Sequence, residues 1–382
     1  MDVILNTESL SPPLTGIGNY TLHLLNGLLA HPDIGKVHRF AGPRDLPAID
    51  AAPGSSSSTG LLRKLKNSVR GLPGAYPLRT WLREQSFKRR FRHCGQAVYH
   101  EPNYILKSFA GASVATIHDT SYLLYPRFHP RERVAYLERQ LPGTIRRAAQ
   151  LITLSEFMRG ELIRHFSVAP QKITAIHLGV DARYRPYGEA ETRATLQRYG
   201  LGHGGYLLSV ATLEPRKNLV SLLRAYRQLT PALRRRYPLV LAGAPGWHSS
   251  PLAAELRQIG DSVRLLGYLP ARDLPHVYAG AAAFALVSLF EGFGLPALEA
   301  MASGAALLSS QRSALPEVAG EAALYVEPED IDDIARKLTR LLEDARLRET
   351  LSSAGIERAR PFRWQDCVDR TVAVYHRAAA GN

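Results

Sequence analysis

Short apolar runs alternate along this chain with stretches whose apolar residues recur every three or four positions. In the first half the runs at 2–6, 36–41, 97–99, 112–118, 151–154 and 172–177 predict strands, and 17–30, 61–71, 77–92, 130–148 and 156–165 predict helices. Such an alternation predicts a parallel sheet with crossover helices. The rhythm breaks over 184–205, where Pro186, Gly188 and the glycines from Gly200 to Gly205 surround a short charged helix. It then restarts. Strands are expected at 206–211, 238–243, 262–266, 282–287, 305–309 and 323–326, and helices at 218–229, 251–259, 272–280, 296–303 and 331–355. A last helix, 364–379, follows Pro361, and the serine-rich stretch from Ala51 to Gly60 predicts a loop.

Two α/β halves in 382 residues imply two domains, each a doubly wound sheet. Open sheets of this kind bind ligands beyond the carboxyl ends of their strands. Two such domains facing each other would line one cleft, with Gly16, Gly18 and His118 from the first and Arg216, Lys217, Glu291 and Glu299 from the second.

Composition narrows the classes. There is no run of eighteen or more apolar residues, so no spanning helix is expected. The opening Met1-Asp2-Val3-Ile4-Leu5-Asn6 reads as a strand rather than a signal peptide. Cys94 and Cys367, far apart in sequence, do not suggest a disulfide framework and fit a reducing compartment. The formal charge of +14 is uneven: Leu61 to Arg92 holds ten Lys/Arg against one acid, Glu84. Leu61, Leu62, Leu65 and Val69 share one helical face there, and Trp81, Phe87 and Phe91 follow among arginines. That composition suits an anionic membrane surface; an ordinary helix pair with a basic exposed face also accounts for it. Nucleic acid is disfavoured, since no recognised module accompanies the charge.

The richest chemistry lies at 288–304, Ser-Leu-Phe-Glu-Gly-Phe-Gly-Leu-Pro-Ala-Leu-Glu-Ala-Met-Ala-Ser-Gly. Two carboxylates, Glu291 and Glu299, flank a glycine-rich turn, and Pro296 marks a helix start. Glu291 is then on the loop and Glu299 in the first helical turn, with unpaired amides between them that attract anions. One carboxylate suits sugar hydroxyls, the other a ribose diol, with a diphosphate between. Glu299 also has a plain reading, as an acid favoured by the helix dipole. Asp330-Ile331-Asp332-Asp333 contains a D-x-D by letters, but it reads as an acidic helix start, and no cluster has metal-ligand spacing.

The 288–304 segment resembles the Glu-x7-Glu motif of the retaining family 4 glycosyltransferases of GT-B fold. Further pieces follow in the family's order: Gly16-Ile17-Gly18-Asn19-Tyr20, Thr116-Ile117-His118-Asp119, Ile152-Thr153-Leu154-Ser155-Glu156-Phe157, His177-Leu178-Gly179-Val180-Asp181, Glu214-Pro215-Arg216-Lys217-Asn218 and Leu266-Gly267-Tyr268-Leu269. The match covers nearly the whole chain. It implies two Rossmann-like domains, 1–185 on the acceptor side and 186–362 for the donor, with 363–382 a closing helix that returns to the first domain. By resemblance Glu291 and His118 are the catalytic pair, Glu291 facing the donor sugar and His118 orienting it. Glu299 holds the ribose, Arg216 and Lys217, read as opening the helix after the first donor-domain strand, the diphosphate, and Gly16 and Gly18 a close backbone approach to phosphate. The amides of Gly292, Phe293 and Gly294, with Leu295 after them, surround sugar and phosphate. Tyr268 lies near the base or in the core. Many members carry a further arginine after the first donor-domain strand, where this chain has Ala211-Thr212.

The resemblance implies a retaining hexosyltransferase with no metal and no bound cofactor. Its co-substrate would be GDP-mannose or a related GDP-deoxyhexose, and its acceptor a lipid-linked saccharide of surface-polysaccharide or lipopolysaccharide assembly. The enzyme would be cytoplasmic and peripheral at the inner membrane face, held through residues 61–92. A UDP-sugar transferase, a nucleotide-sugar epimerase and a phosphorylase are the alternatives within the fold; a non-enzymatic basic binding module lies outside it.

Overall fold

The structure is a computed structural model that describes residues 1–11, 14–42, 75–247, 250–259 and 262–381. Among the described residues, twelve short strands form two parallel sheets. The first contains β1 (Asp2–Asn6), β2 (Lys36–Phe40), β3 (Val98–Glu101), β4 (Ser113–Ile117), β5 (Gln150–Thr153) and β6 (Ile173–Ala175), in the order β2-β1-β3-β4-β5-β6. The second contains β7 (Leu207–Val210), β8 (Leu239–Ala242), β9 (Val263–Gly267), β10 (Ala283–Leu286), β11 (Ala306–Ser310) and β12 (Ala323–Val326), in the order β12-β11-β10-β7-β8-β9. Its strand order is that of the dinucleotide-binding fold, with the reversal between β7 and β10.

The chain divides into two compact units: Met1–Thr116 with Gly143–Leu151 and Thr371–Asn382, and Ile117–Pro142 with Ile152–Arg370. In the first, Val3, Ile4 and Leu5 of β1 are wholly buried, and Leu24, Leu25 and Leu28 of helix Gly16–Ala30 are buried on its apolar face. Helix Ala75–Phe91 sends Phe87 and Phe91 inward, where Phe87 meets Phe40 at 5.1 Å, Tyr99 at 4.5 Å and Phe109 at 6.3 Å between ring centroids. His100 bonds Thr116 and Tyr375, the latter on the last helix, Trp364–Ala380.

In the second unit helices Leu219–Gln228 and Ile331–Glu343 cover the sheet. Ile334, Leu338, Leu341 and Leu342 recur at helical spacing and join Leu222, Leu223, Leu239 and Leu241 in one core. Each fully buried leucine contributes about 1.5–3 kcal/mol relative to exposure.

Three expectations need correction. The helix expected over 331–355 is two, Ile331–Glu343 and Ala345–Ala359. Asp344 leaves helical geometry and its side chain accepts the Leu347 amide, starting a second helix. Helix Leu295–Ala302 begins one residue before Pro296, which puts Glu299 past the first turn. Arg216 and Lys217 do not open a helix: they form a 3-10 turn, Pro215–Lys217, ended by Asn218 at φ 58°. The helix expected over 61–71 lies outside the described residues.

Candidate functional site

Where the second sheet reverses, the loops after β7 and β10 leave in opposite senses and open the place where such sheets bind ligands. Asn218 ties these loops together. Its side-chain amide donates to the carbonyls of Val287, 3.1 Å, and Pro328, 2.6 Å, while the Leu289 amide donates to the Arg216 carbonyl at 2.9 Å. The left-handed conformation of Asn218 aims that amide, and asparagine tolerates it better than most residues.

This clamp brings the charges together. Lys217 Nζ lies 2.6 Å from Glu291 Oε1, and Ser288 Oγ donates to the same oxygen at 2.7 Å. Arg216 Nη1 donates to the Phe290 carbonyl at 2.7 Å and to Glu291 Oε2 at 3.3 Å, and its Nη2 donates to Glu214 Oε1 at 2.6 Å. Burial alone would push the Glu291 carboxyl up. Lys217 and then Arg216 outweigh it and hold the group below the usual carboxylate range, so it stays ionised. Burial would likewise depress the Arg216 guanidinium, but Glu291, Asp119 and Glu214 raise it. The two cations are therefore already paired with carboxylates, and an incoming diphosphate would compete with Glu291 for Lys217.

His118, buried at the end of β4, and Asp119 are brought directly against this loop. A β-carbon on Gly292 would meet the His118 carbonyl oxygen at 1.8 Å and Asp119 Cβ at 3.2 Å. The Gly292 carbonyl accepts a hydrogen bond from Ser155 Oγ at 2.8 Å, and the Glu291 amide donates to Ser313 Oγ at 2.9 Å. Gly294, at φ 103°, is the turn from which helix Leu295–Ala302 starts. The Phe293 ring is buried near His177 and Phe362, so only its backbone is free for a ligand role.

Glu299 is buried on the same helix, where Tyr278 Oη donates to its Oε2 at 2.9 Å. The Tyr184 hydroxyl also bonds it, with the two tyrosine rings edge to face at 5.6 Å. Burial pushes Glu299 up to about 7 despite those bonds. Its buried hydroxyl partners, rather than a helix dipole, hold the carboxylate.

Other expected site residues belong to other elements. Tyr268 is 51% exposed after β9, the edge strand, two strands from the reversal. Gly16 and Gly18 belong to the first unit and open its helix Gly16–Ala30, where Thr15 Oγ1 accepts the Gly18 amide. A β-carbon on Gly18 would meet the Ser9 carbonyl at 2.9 Å, whereas one on Gly16 would meet nothing within 4 Å. The first sheet's own reversal holds a buried network absent from the sequence reading. Asn6 and Tyr99 donate to Glu101 Oε2 at 2.6 and 2.7 Å, and Lys107 donates to Glu8 at 2.7 Å. Burial raises the Glu101 carboxyl.

Asp330 is the N-cap of helix Ile331–Glu343 and accepts the Asp333 amide at 2.9 Å, while Asp333 pairs with Lys337 at 2.9 Å. The D-x-D is thus a helix start. Among the described residues no group of three or more His, Cys, Asp or Glu is gathered as a metal site.

Sequence reasoning overlooked Ser288, Ser313, Tyr184 and Tyr278 as partners of the two glutamates. Ser288 lies three residues before Glu291 and was within reach of a local reading. Tyr184 is 115 positions from Glu299, and no local pattern links them.

A reversed-order parallel sheet with a buried, cation-paired carboxylate at its carboxyl edge marks the ligand-binding edge of a doubly wound α/β fold. Comparisons sharpen that class. Residues 14–184 match the family described as Glycosyltransferase Family 4, and residues 198–358 match Glycosyl transferases group 1. The O-antigen chain mannosyltransferase B of Escherichia coli is 36% identical over 382 residues, covering 98% of this chain and 99% of the relative. The MMP alpha-(1->4)-mannosyltransferase of Mycolicibacterium hassiacum is 33% identical over 240 residues, 62% of this chain and 56% of the relative. Sucrose-phosphate synthase from Thermosynechococcus elongatus superposes with a TM-score of 0.76 at 21% identity, all of each chain being covered. The chain belongs to the family 4 glycosyltransferases, with the GT-B fold.

Proposed function

We propose that this protein is a retaining mannosyltransferase that takes its sugar from GDP-mannose or a related GDP-deoxyhexose. The acceptor in this reading is a lipid-linked saccharide of surface-polysaccharide assembly, met at the inner face of the cytoplasmic membrane. The observation that carries it is the Lys217–Glu291–Arg216 cluster at the strand reversal of the second sheet. The full-length similarity to an O-antigen chain mannosyltransferase supports the choice of mannose. The two family ranges, which part between 184 and 198, support an acceptor-side half at 1–185 and a donor half at 186–362, with 363–382 closing the chain.

In this reading Glu291 accepts hydroxyls of the donor sugar and Glu299 those of the ribose. Lys217 moves from Glu291 to the diphosphate and takes up its charge as the sugar C1–O bond breaks. The acceptor oxygen bonds C1 on the face the phosphate leaves, and the departing phosphate oxygen takes the acceptor's proton. No protein base is needed and the anomeric configuration is kept. His118 orients the sugar beside C1.

The test is calorimetric titration with GDP, UDP, ADP and GDP-mannose, each with and without EDTA, on the wild-type protein and Glu299→Ala. Tight binding of GDP alone, insensitive to EDTA and weakened in Glu299→Ala, supports the reading. Tighter binding of UDP moves the donor to a UDP-sugar. Interconversion of the donor sugar without acceptor makes the protein an epimerase. An inverted anomeric signal in the NMR spectrum of the product refutes retention.

A further inference from the structure

Beside the site stands a second set of polar side chains that the transfer reading does not use. Asp119 Oδ1 accepts from the backbone amide of Ser121 at 3.1 Å and from its hydroxyl at 2.7 Å. Ser121 Oγ also lies 3.0 Å from His129 Nε2. His129 is 5% exposed, and its Nδ1 is buried with no hydrogen-bond partner. The ring faces Trp247, with centroids 6.1 Å apart, and Trp247 Nε1 donates to the Phe128 carbonyl at 2.6 Å.

Proton directions along this chain follow from the chemistry. The Asp119 carboxylate only accepts, so the Ser121 hydroxyl donates to it. The Ser121 oxygen then accepts, so His129 Nε2 carries the proton. Burial pushes the His129 imidazole below its ordinary value, which leaves the ring neutral with a bare Nδ1. At the other end, Asp119 follows His118 in the chain and stands against the glutamate loop, its Cβ 3.2 Å from where a β-carbon on Gly292 would sit, and its charge and that of Arg216 favour one another. The row therefore runs His129, Ser121, Asp119 and then the His118–Gly292 contact beside Glu291.

We propose that His129 is a positioning residue of the transfer reaction: through Ser121 it fixes Asp119, and through Asp119 it holds His118 against the Glu291 loop. The inference rests on the transferase reading above. Freed from this row, Asp119 turns, and His118 is no longer held beside the Glu291 loop. Donor binding, which depends on Glu299 and the loop amides, is little changed. The geometry reached in the transition state is what suffers, and misplacement of that order lowers a rate by roughly tenfold to a hundredfold.

The experiment uses the full chain and four variants: His129→Phe, His129→Gln, Ser121→Ala and the double variant Ser121→Ala/His129→Phe. GDP-mannose and a synthetic octyl mannoside are the probes, the donor being replaced by whichever nucleotide sugar the wild-type protein turns over. His129→Phe should lose tenfold or more in kcat with donor KM within twofold of wild type. His129→Gln, whose side-chain amide can donate from the Nε2 position, should recover most of that loss. The double variant should be no slower than Ser121→Ala alone, because the two act in series. Equal losses in Phe and Gln, or additive losses in the double variant, overturn the inference while leaving the transferase reading intact. No turnover of any nucleotide sugar by the wild-type protein overturns both. A readout independent of activity is the ¹⁵N spectrum of histidine-labelled protein: His129 should be the neutral Nε2–H tautomer, and an Nδ1–H tautomer breaks the row at its first link.

Discussion

The α-carbon of Gly292 lies against the carbonyl oxygen of His118, so close that a β-carbon there would sit 1.8 Å from it. This contact joins the strand-end His-Asp pair to the glutamate loop, and any side chain at 292 must move one of them. Gly292→Ala should destabilise the protein by about 2–3 kcal/mol through overpacking. It should also displace His118 and remove most activity. Thermal unfolding and kcat measured on the same sample check this; an alanine variant with wild-type stability and rate would show that the loop moves freely.

Lys217 and Glu291 form one of two 2.6 Å charge contacts at the site, the other being Arg216 with Glu214. Lys217→Met leaves the buried Glu291 carboxylate with Arg216 and Ser288. Breaking a buried pair costs about 3–5 kcal/mol, and the remaining partners should keep the loss at or below the lower end. The rate should fall about a hundredfold or more, as when a preorganised charge stabiliser is removed. Denaturant unfolding and steady-state kinetics separate the two effects, and Lys217→Arg should restore stability more fully than rate.

In the proposed reading Glu299 should make donor binding depend on pH. Burial places its folded pKa at about 7, above the unfolded value. An acid raised in this way stabilises the fold when protonated, fully so below the ordinary glutamate range, and that contribution is lost as pH rises through about 7. Ligand binding runs the other way, because the ionised carboxylate is the better acceptor for ribose hydroxyls. GDP affinity should therefore weaken below pH 7 by up to about tenfold per pH unit. Calorimetry in two buffers of different ionisation enthalpy should show proton release near pH 6.5–7, as expected from a pKa of about 7. Glu299→Gln should abolish the pH dependence.

Glu317 caps helix Glu156–Phe166 from outside it. Its oxygens accept the Glu156 and Phe157 amides at 2.8 and 2.9 Å, and His177 Nε2 lies 2.6 Å away. Burial would raise this carboxyl, but His177 and the two amides outweigh it and hold it low. Its contribution is present above the ordinary glutamate range and is lost as pH falls through the depressed folded value. Glu317→Ala should cost about 1–2 kcal/mol at pH 7, the scale of a lost cap, and less in acid. Urea unfolding at pH 7 and pH 4 checks both.

Helix Ala75–Phe91 presents Trp81, 55% exposed, and Leu82, 47% exposed, beside exposed Lys88, Arg89 and Arg90. Each basic residue near an anionic membrane is worth about 1 kcal/mol. Phosphatidylglycerol vesicles should therefore bind the protein at low salt and release it at high salt. Trp81→Ser/Leu82→Ser should weaken binding without changing GDP affinity. Co-sedimentation reads both, and equal binding to neutral phosphatidylcholine vesicles would exclude charge as the cause.

The sequence by itself determined the parallel α/β alternation, because a buried strand needs a short apolar run and a covering helix needs apolar residues every three or four positions. Leu239–Ala242 and Ile331–Glu343 were legible for that reason. It also determined the glutamate loop, whose glycines and Pro296 are local signals of a strand-to-helix turn. Helix ends were less legible: Asp344 breaks a continuous apolar pattern by a single side-chain bond to the Leu347 amide. Tertiary structure alone decided what surrounds each charge. Arg216 read as a free cation for a diphosphate, yet folding sets Glu214, Glu291 and the Phe290 carbonyl around it. Glu299 read as a helix-start acid, yet Tyr278 and Tyr184 from distant segments enclose it. Periodicity is a property of neighbours in the chain. Desolvation, ion pairing and the pKa shifts they cause belong to neighbours in space, and those are set only when the strands reverse their order.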